Sequence, residues 1–278
     1  MDASVYEHFE MVFQPIVDLL TGDLVQVEAL ARLRDNSGLL VLPKDVIPSL
    51  CADGLFNLFT QGVEQSITAM AMWEREDIHV GVSINCTANV PLDRRYLELI
   101  TRLGGQDRLN LNRLTLELTE DDVIHDYNMA ASAVNDLKNL GVETSLDDLG
   151  AGYSSLARLI HIPFNEVKLD QSLVRSTSVP MKSLHLIYHL SQFADDVGVR
   201  SVIEGLESID LIEAAAILGA NRGQGYAISK PIPPEALSAW SEKFKWPIDV
   251  ECPRTDLGAR AALYRSSATP ALRHAGVF

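Results

Sequence analysis

Val142-Glu143-Thr144-Ser145-Leu146-Asp147-Asp148-Leu149-Gly150-Ala151-Gly152-Tyr153-Ser154-Ser155 is the stretch on which both the fold and the chemistry turn. Residues 142–146 predict a short strand that delivers two adjacent carboxylates to a loop holding two glycines, a tyrosine and two serines. Asp147 and Asp148 repel each other unless a proton or a cation offsets them. An isolated Asp-Asp pair is ordinarily a solvated turn. Here other predicted strands also end in polar residues, and the repetition points to a built site.

Upstream, residues 11–17 and 24–30 read as strands joined by the turn Thr21-Gly22-Asp23, a hairpin. Residues 43–53 predict a helix begun by Pro43 and ended near Gly54, and residues 55–74 a second. A strand at 80–85, a helix at about 93–103, a strand at 113–118 and a helix at 120–140 closed by Gly141 follow. Downstream come a short helix at 155–160, a strand at 166–170, a helix at 181–197, a strand at 200–204, a helix to 218, a strand at 222–228 and a helix begun by Pro233-Pro234. Strand and helix alternate throughout. Eight strands separated by helices, in a chain of 278 residues that is too short for two sheets and their cores, favour an α/β class closed barrel of the TIM (β/α)8 type over an open doubly wound sheet. Its first strand must run antiparallel to the rest, because a short turn cannot make a parallel crossover. The barrel domain is expected over 1–247. Residues 248–278, with four arginines against three acids and a helical pattern only at 257–264, are expected to form a partly helical or disordered tail.

Side chains alternate across a strand, so parity assigns each residue to the axis or to the helices. Outward Val25 and Val27 turn Gln26 and Glu28 inward, and outward Val80, Val82 and Ile84 turn Ser83 and Asn85 inward. By the same rule Thr115, Glu117, Lys168, Asp170, Val202 and Glu204 face the axis. In α/β barrels the C-terminal strand ends build the active site. Five carboxylates converge there, Glu28, Glu117, Asp147, Asp148 and Glu204, with Lys168 as the nearest cation. They cannot all ionise unaided. Carboxylates plus the Asn85 amide form an all-oxygen set suited to Mg²⁺, Mn²⁺ or Ca²⁺ rather than zinc. Two such ions about 3.5–4 Å apart, sharing one carboxylate, clamp an in-line phosphoryl displacement, and Asp147 is the natural bridge.

The formal charge of −15 argues against a nucleic-acid groove. No apolar run is long enough for a membrane span or a signal peptide, and three dispersed cysteines suggest neither disulfides nor zinc. A soluble, cytoplasmic protein is expected.

These residues also resemble the EAL domain family, phosphodiesterase modules for the bacterial second messenger cyclic di-GMP. The resemblance runs from about residue 12 to 234 and is carried by Gln14-Pro15-Ile16, Glu28-Ala29-Leu30-Ala31-Arg32, Asn85, Glu117-Leu118-Thr119-Glu120, the Asp147-Asp148 loop, Lys168-Leu169-Asp170, Glu204-Gly205-Leu206-Glu207 and Gln224-Gly225-Tyr226. It implies hydrolysis of cyclic di-GMP to linear pGpG, with Glu28, Asn85, Glu117 and Asp147 on one metal and Asp147, Asp148 and Glu204 on the other. Lys168 would orient the attacking water, Glu204 act as general base, and Glu120 and Glu207 hold the Asp-Asp loop. Arg32 would take a substrate phosphate, and Gln14, Leu30, Asp170 and Gln224 would line the ligand pocket. The resemblance further implies a homodimer. Leu149, Ala151 and Thr87 depart from the usual residues, and none is a metal ligand. Calcium, with longer bonds and looser coordination, is expected to occupy the site and inhibit. The alternative is a catalytically silent cyclic di-GMP sensor or protein-interaction module.

Three other signals are set aside. His125-Asp126 stands alone on an expected helix, His185 and His189 read as a solvated helix face, and Cys86 has the parity of an outward-packing residue.

Overall fold

β1 (His8–Asp18) and β2 (Leu24–Arg34) pair antiparallel, from His8↔Arg34 to Val17↔Leu24. Asp18 closes the hairpin: its N–H donates to the Asp23 carbonyl at 2.9 Å, and its carboxylate accepts from the N–H groups of Leu20 and Thr21. The computed structural model describes residues 8–34, 40–41, 46–87, 93–105, 110–119, 126–150, 155–174 and 181–268. Within them, β3 (Leu40–Val41) extends the outer end of β2. Then β4 (Gly81–Cys86), β5 (Leu114–Leu118), β6 (Glu143–Leu149), β7 (Glu166–Leu169), β8 (Arg200–Ile203) and β9 (Arg222–Gly223) follow in parallel order from β2. β9 meets β1 antiparallel, so eight strands close into the expected mixed barrel.

Helices α1 (Ala52–Glu74), α2 (Arg94–Gly105), α3 (Tyr127–Asn139), α4 (Ser155–His161), α5 (Met181–Asp196), α6 (Ile209–Leu218) and α7 (Leu237–Lys243) follow the strands. The outward strand residues Val27, Val82, Leu116, Leu146 and Val167 are completely buried, as are Trp73 and Ile100 on the helices. Each such side chain contributes about 1.5–3 kcal/mol by leaving water. Trp73 also meets Phe13 edge-on at 5.0 Å and donates its indole N–H to the Pro234 carbonyl at 2.8 Å, tying α1 to the seam where the barrel closes. No helix among the described residues is long and apolar enough to cross a membrane.

Several boundaries differ from expectation. The predicted 43–53 helix is, in its described part, a 3-10 turn at Ile47–Ser49 followed by extended Leu50 and Cys51. The long helix begins at Ala52 and passes through Gly54. In its described part, the helix expected over 120–140 begins at Tyr127, capped by Asp126, which is extended and accepts from the N–H groups of Asn128 and Met129. Residues 120–125, and with them Glu120 and His125, lie outside the described residues. The strand expected over 222–228 has only two residues, because the chain turns where Gly225 packs directly on the Leu206 backbone, an approach that leaves no room for a Cβ. The final expected helix is preceded by a 3-10 turn at Pro234–Ala236.

Beyond residue 247, α8 (Asp256–Ala268) packs on α6 and α5. Glu213, buried on α6, accepts from the Arg254 and Thr255 N–H groups and from the Thr255 hydroxyl at 2.6–2.9 Å. The histidine pair is accordingly not simply solvated: Tyr264 of α8 stacks on His185 at 4.0 Å, and its hydroxyl lies 3.0 Å from His189 Nε2. The i, i+4 spacing was visible in the sequence, but the aromatic partner 75 residues away was not.

Candidate active site

The Asp147-Asp148 pair is not at the tip of a strand but inside β6, and the pairing of β6 with β7 slips between Leu146 and Leu149. That bulge breaks the strict alternation of sides. Asp148 takes the left-handed backbone conformation, φ 59°, which Asp tolerates better than most residues but at some cost. The result is chemical: Asp147, Asp148 and Glu204 each present a carboxylate oxygen within 4.8 Å of the others.

Lys168 stands at the centre. Its side chain is 1% exposed, and Nζ lies 2.7 Å from Glu204, 2.9 Å from Glu117, 3.3 Å from Glu28 and 3.4 Å from Asp147. Strand register explains the convergence: Asn85 is level with Glu117, and Glu28 with Ser83 two residues earlier on the same strand as Asn85. Glu28 accepts from the Asn85 amide on Oε1 and from the Gln224 amide on Oε2, both at 2.7 Å. Glu117 is fully buried, and its Oε1 has no hydrogen-bond partner among the described residues. Parity thus placed these inward residues correctly. Cys86, of opposite parity, is buried, with its thiol directed to the Glu117 carbonyl at 3.4 Å, and burial together with Glu117 and Asp147 pushes that thiol well up.

One ammonium cannot neutralise four carboxylates. Burial and the Glu28 charge hold Glu117 well above the usual carboxylate range, despite Lys168. Burial likewise raises Glu204, to about 7, with Lys168 opposing and Asp147 and Glu28 adding to the rise. For Glu28 burial also acts upward, but Lys168, Gln224 and Asn85 outweigh it, and the group titrates below its ordinary value. Burial acts to lower Lys168, yet Asp147, Glu117, Glu204 and Glu28 together hold it firmly protonated. The mouth is therefore short of positive charge, which a divalent cation would supply.

A cavity of about 270 Å³ opens onto this cluster. Gln14, Glu28, Leu30, Asp147, Lys168, Glu204, Glu207 and Gln224 line it, all expected from the sequence. Gln14 is held by its amide donating to the Ser229 carbonyl at 3.1 Å. Gln171, Gly205, Gly225 and Tyr226 complete the wall and had been given no role. Gly205 has φ 71°, and its backbone lies so near Gln171 that a Cβ would stand 2.6 Å from the Gln171 Cβ. The position next to Glu204 therefore requires glycine. Tyr226 stood in the quoted Gln-Gly-Tyr run, so its signal was present; Gln171 had none. Arg32 and Asp170 are not in this lining. Arg32 turns Nη1 to the Ala31 carbonyl at 2.8 Å, and Asp170 caps the 3-10 turn Gln171–Leu173 through the Ser172 N–H at 2.9 Å. A larger hollow of about 410 Å³ lies elsewhere, between Met11, Phe13 and α1, and of the carboxylates only Glu64 lines it.

The model of the EAL domain matches residues 2–231. The chain belongs to the EAL domain family. A cyclic di-GMP phosphodiesterase of Pseudomonas aeruginosa is 32% identical over 235 residues, covering 84% of this chain and 40% of that protein. The oxygen sensor protein DosP of Escherichia coli is 28% identical over 244 residues, covering 86% of this chain and 30% of its own length. This EAL chain thus spans less than half the length of those curated relatives. Among solved structures, an EAL enzyme with cAMP and cyclic di-GMP bound superposes with a TM-score of 0.75 at 25% identity, covering 84% of this chain and 64% of that one. The EAL match ends before α7 and α8.

Proposed function

We propose that this EAL domain hydrolyses one phosphodiester bond of cyclic di-GMP, giving linear pGpG, with two divalent cations, Mg²⁺ or Mn²⁺, as cofactor. The observation that carries the reading is the convergence of Glu28, Glu117, Asp147 and Glu204 on the single ammonium of Lys168, at the mouth of a cavity that fits part of a dinucleotide. The orphaned Oε1 of Glu117 and the uniform oxygen chemistry of the donors fit hard cations. Glu28, Asn85, Glu117 and Asp147 would hold one ion, and Asp147, Asp148 and Glu204 the other. When bound, the ions would supply Lewis acidity to the phosphate and the water.

The chain's own groups do the rest. Lys168 orients the water by its N–H donors, and Glu204 removes a proton as the water oxygen bonds to phosphorus. The bond from phosphorus to one ribose oxygen breaks opposite, with inversion, and the departing oxygen takes up a proton from solvent. Gln14, Leu30 and Gln224 bind the substrate from the cavity wall, joined by Arg32 and Asp170 once the ligand is in place. Glu207 and Glu120 brace the Asp147-Asp148 segment. The protein is further proposed to act as a homodimer: Leu156 and Ile160, four apart on α4 directly after that segment, are 50% and 67% exposed.

The test is incubation with cyclic di-GMP in Mg²⁺, Mn²⁺ or Ca²⁺, followed by chromatography. Linear pGpG in the first two and intact substrate in calcium are expected. Substrate that binds yet stays intact in all three metals would refute the hydrolase and leave a sensor; light scattering reads the dimer separately.

A further inference from the structure

We propose that Arg158 is a positioning residue for the metal site, an inference that rests on the two-cation reading above. Arg158 sits on α4, has no place among the residues expected or found at the mouth, and is 3% exposed. A guanidinium is expensive to bury, and the other inward residue on the same short helix, Leu159, packs as an ordinary apolar side chain. Packing alone would be served as well by Leu or Met.

Among the interactions of the guanidinium, one reaches a strand end at the mouth. Nη1 donates to the carbonyl of Thr119 at 3.1 Å. Thr119 follows the last residues of β5, two positions beyond Glu117, and its own N–H donates to the Cys86 carbonyl, next to Asn85. α4 is the element into which the chain passes after Asp147, Asp148 and Gly150. Arg158 therefore ties the strand ends that carry Asn85 and Glu117 to the helix that anchors the far end of the Asp147-Asp148 segment. Seven residues make too short a helix to hold its own place. Its position comes from tertiary contacts, of which this is a polar, directional one, joined by the Tyr127 ring tilted against that of His161 at 5.0 Å. Asp148 at φ 59° needs such support, because a strained backbone persists only where its surroundings hold it. Lys at this position could still reach a carbonyl with one donor but would lose the rigid fork.

The experiment compares Arg158→Met and Arg158→Lys with the wild type in the full chain, using calorimetric Mg²⁺ titration and steady-state hydrolysis of cyclic di-GMP. With Met, Mg²⁺ affinity is expected to fall about tenfold and kcat at fixed subsaturating metal to fall with it, the substrate KM changing less than twofold; raised Mg²⁺ restores most of kcat. Lys should recover to within about threefold of wild type. Wild-type Mg²⁺ affinity in a folded Arg158→Met protein overturns the proposal, as does equal loss in Met and Lys that metal does not rescue. If Met fails to fold, Lys with unchanged affinity and kcat overturns it alone. Failure of the wild type to bind Mg²⁺ or to hydrolyse sinks the hydrolase reading instead and is read in the same two measurements.

Discussion

At the floor of the barrel Glu166 is completely buried with Arg222 Nη1 at 2.7 Å and Arg200 Nε at 3.7 Å, and Arg200 also pairs with Glu143. At the mouth, Glu28, Glu117, Asp147 and Glu204 share the one ammonium of Lys168. The two clusters share strands only in part: Glu143, Glu166, Arg200 and Arg222 open β6 to β9, while at the mouth Asp147 and Lys168 lie further along β6 and β7, Glu204 just beyond β8, and Glu28 and Glu117 on β2 and β5. Among the described residues, two carboxylates face two guanidinia below, and four face one cation above. The floor is a charge-balanced plug. At the mouth the carboxylates outnumber the cation, an imbalance that protons on Glu117 and Glu204 relieve in part and that a divalent cation would offset.

Substitutions at the two ends should have opposite signatures. Asp147→Asn should reduce turnover by about three orders of magnitude and sharply weaken Mg²⁺ binding, because a shared ligand loses its charge. In EDTA its melting temperature should equal or exceed wild type, since one member of a repulsive cluster has gone. Glu166→Gln should do the reverse: stability falls by about 3 kcal/mol as Arg222 loses its buried partner, while Mg²⁺ affinity and turnover of the folded fraction persist. Melts with and without EDTA, paired with hydrolysis rates, separate the two. A stabilising Glu166→Gln or a destabilising Asp147→Asn in EDTA would break the contrast.

Most of the mouth was legible because period-2 alternation is a local property. Val25 and Val27 oppose Glu28, and Leu116 opposes Glu117, whatever surrounds them. What was not legible depended on partners distant in sequence. The slip at Asp147 and Asp148 is a register event between two strands, so the pair read as a strand tip when it is a bulge inside β6. The last strand was over-extended because Gly225 stops it only by meeting the Leu206 backbone. Arg32 and Asp170 had the right parity or motif, but their local hydrogen bonds point them to their own backbone neighbourhood. The helix α8 was half-visible as a pattern, yet its docking rests on Glu213 and on His185 and His189, none of which announces a partner.

Glu213 sharpens the comparison as a third kind of buried acid, satisfied by hydrogen bonds rather than by a cation. Burial pushes its carboxyl up, but the Thr255 hydroxyl and the Arg254 and Thr255 amides pull harder, and it titrates below the ordinary 4.5. A folded-state value below the unfolded one means its stabilisation is complete above 4.5 and is lost as pH falls through the folded value. Glu213→Gln should therefore cost about 1 kcal/mol at neutral pH, with the gap from wild type closing at acid pH. We expect residues 248–268 to melt with the barrel, as one unit. Identical melts of variant and wild type at every pH would show that the clasp contributes nothing.

The imbalance at the mouth is tested most directly by titrating Mg²⁺ into the wild-type chain in the presence of cyclic di-GMP, following bound metal by calorimetry and pGpG by chromatography on the same samples. The account predicts two ions bound per chain and pGpG formation that rises with the second and vanishes in EDTA. Metal binding that saturates while cyclic di-GMP stays intact, or turnover that survives EDTA, would contradict it.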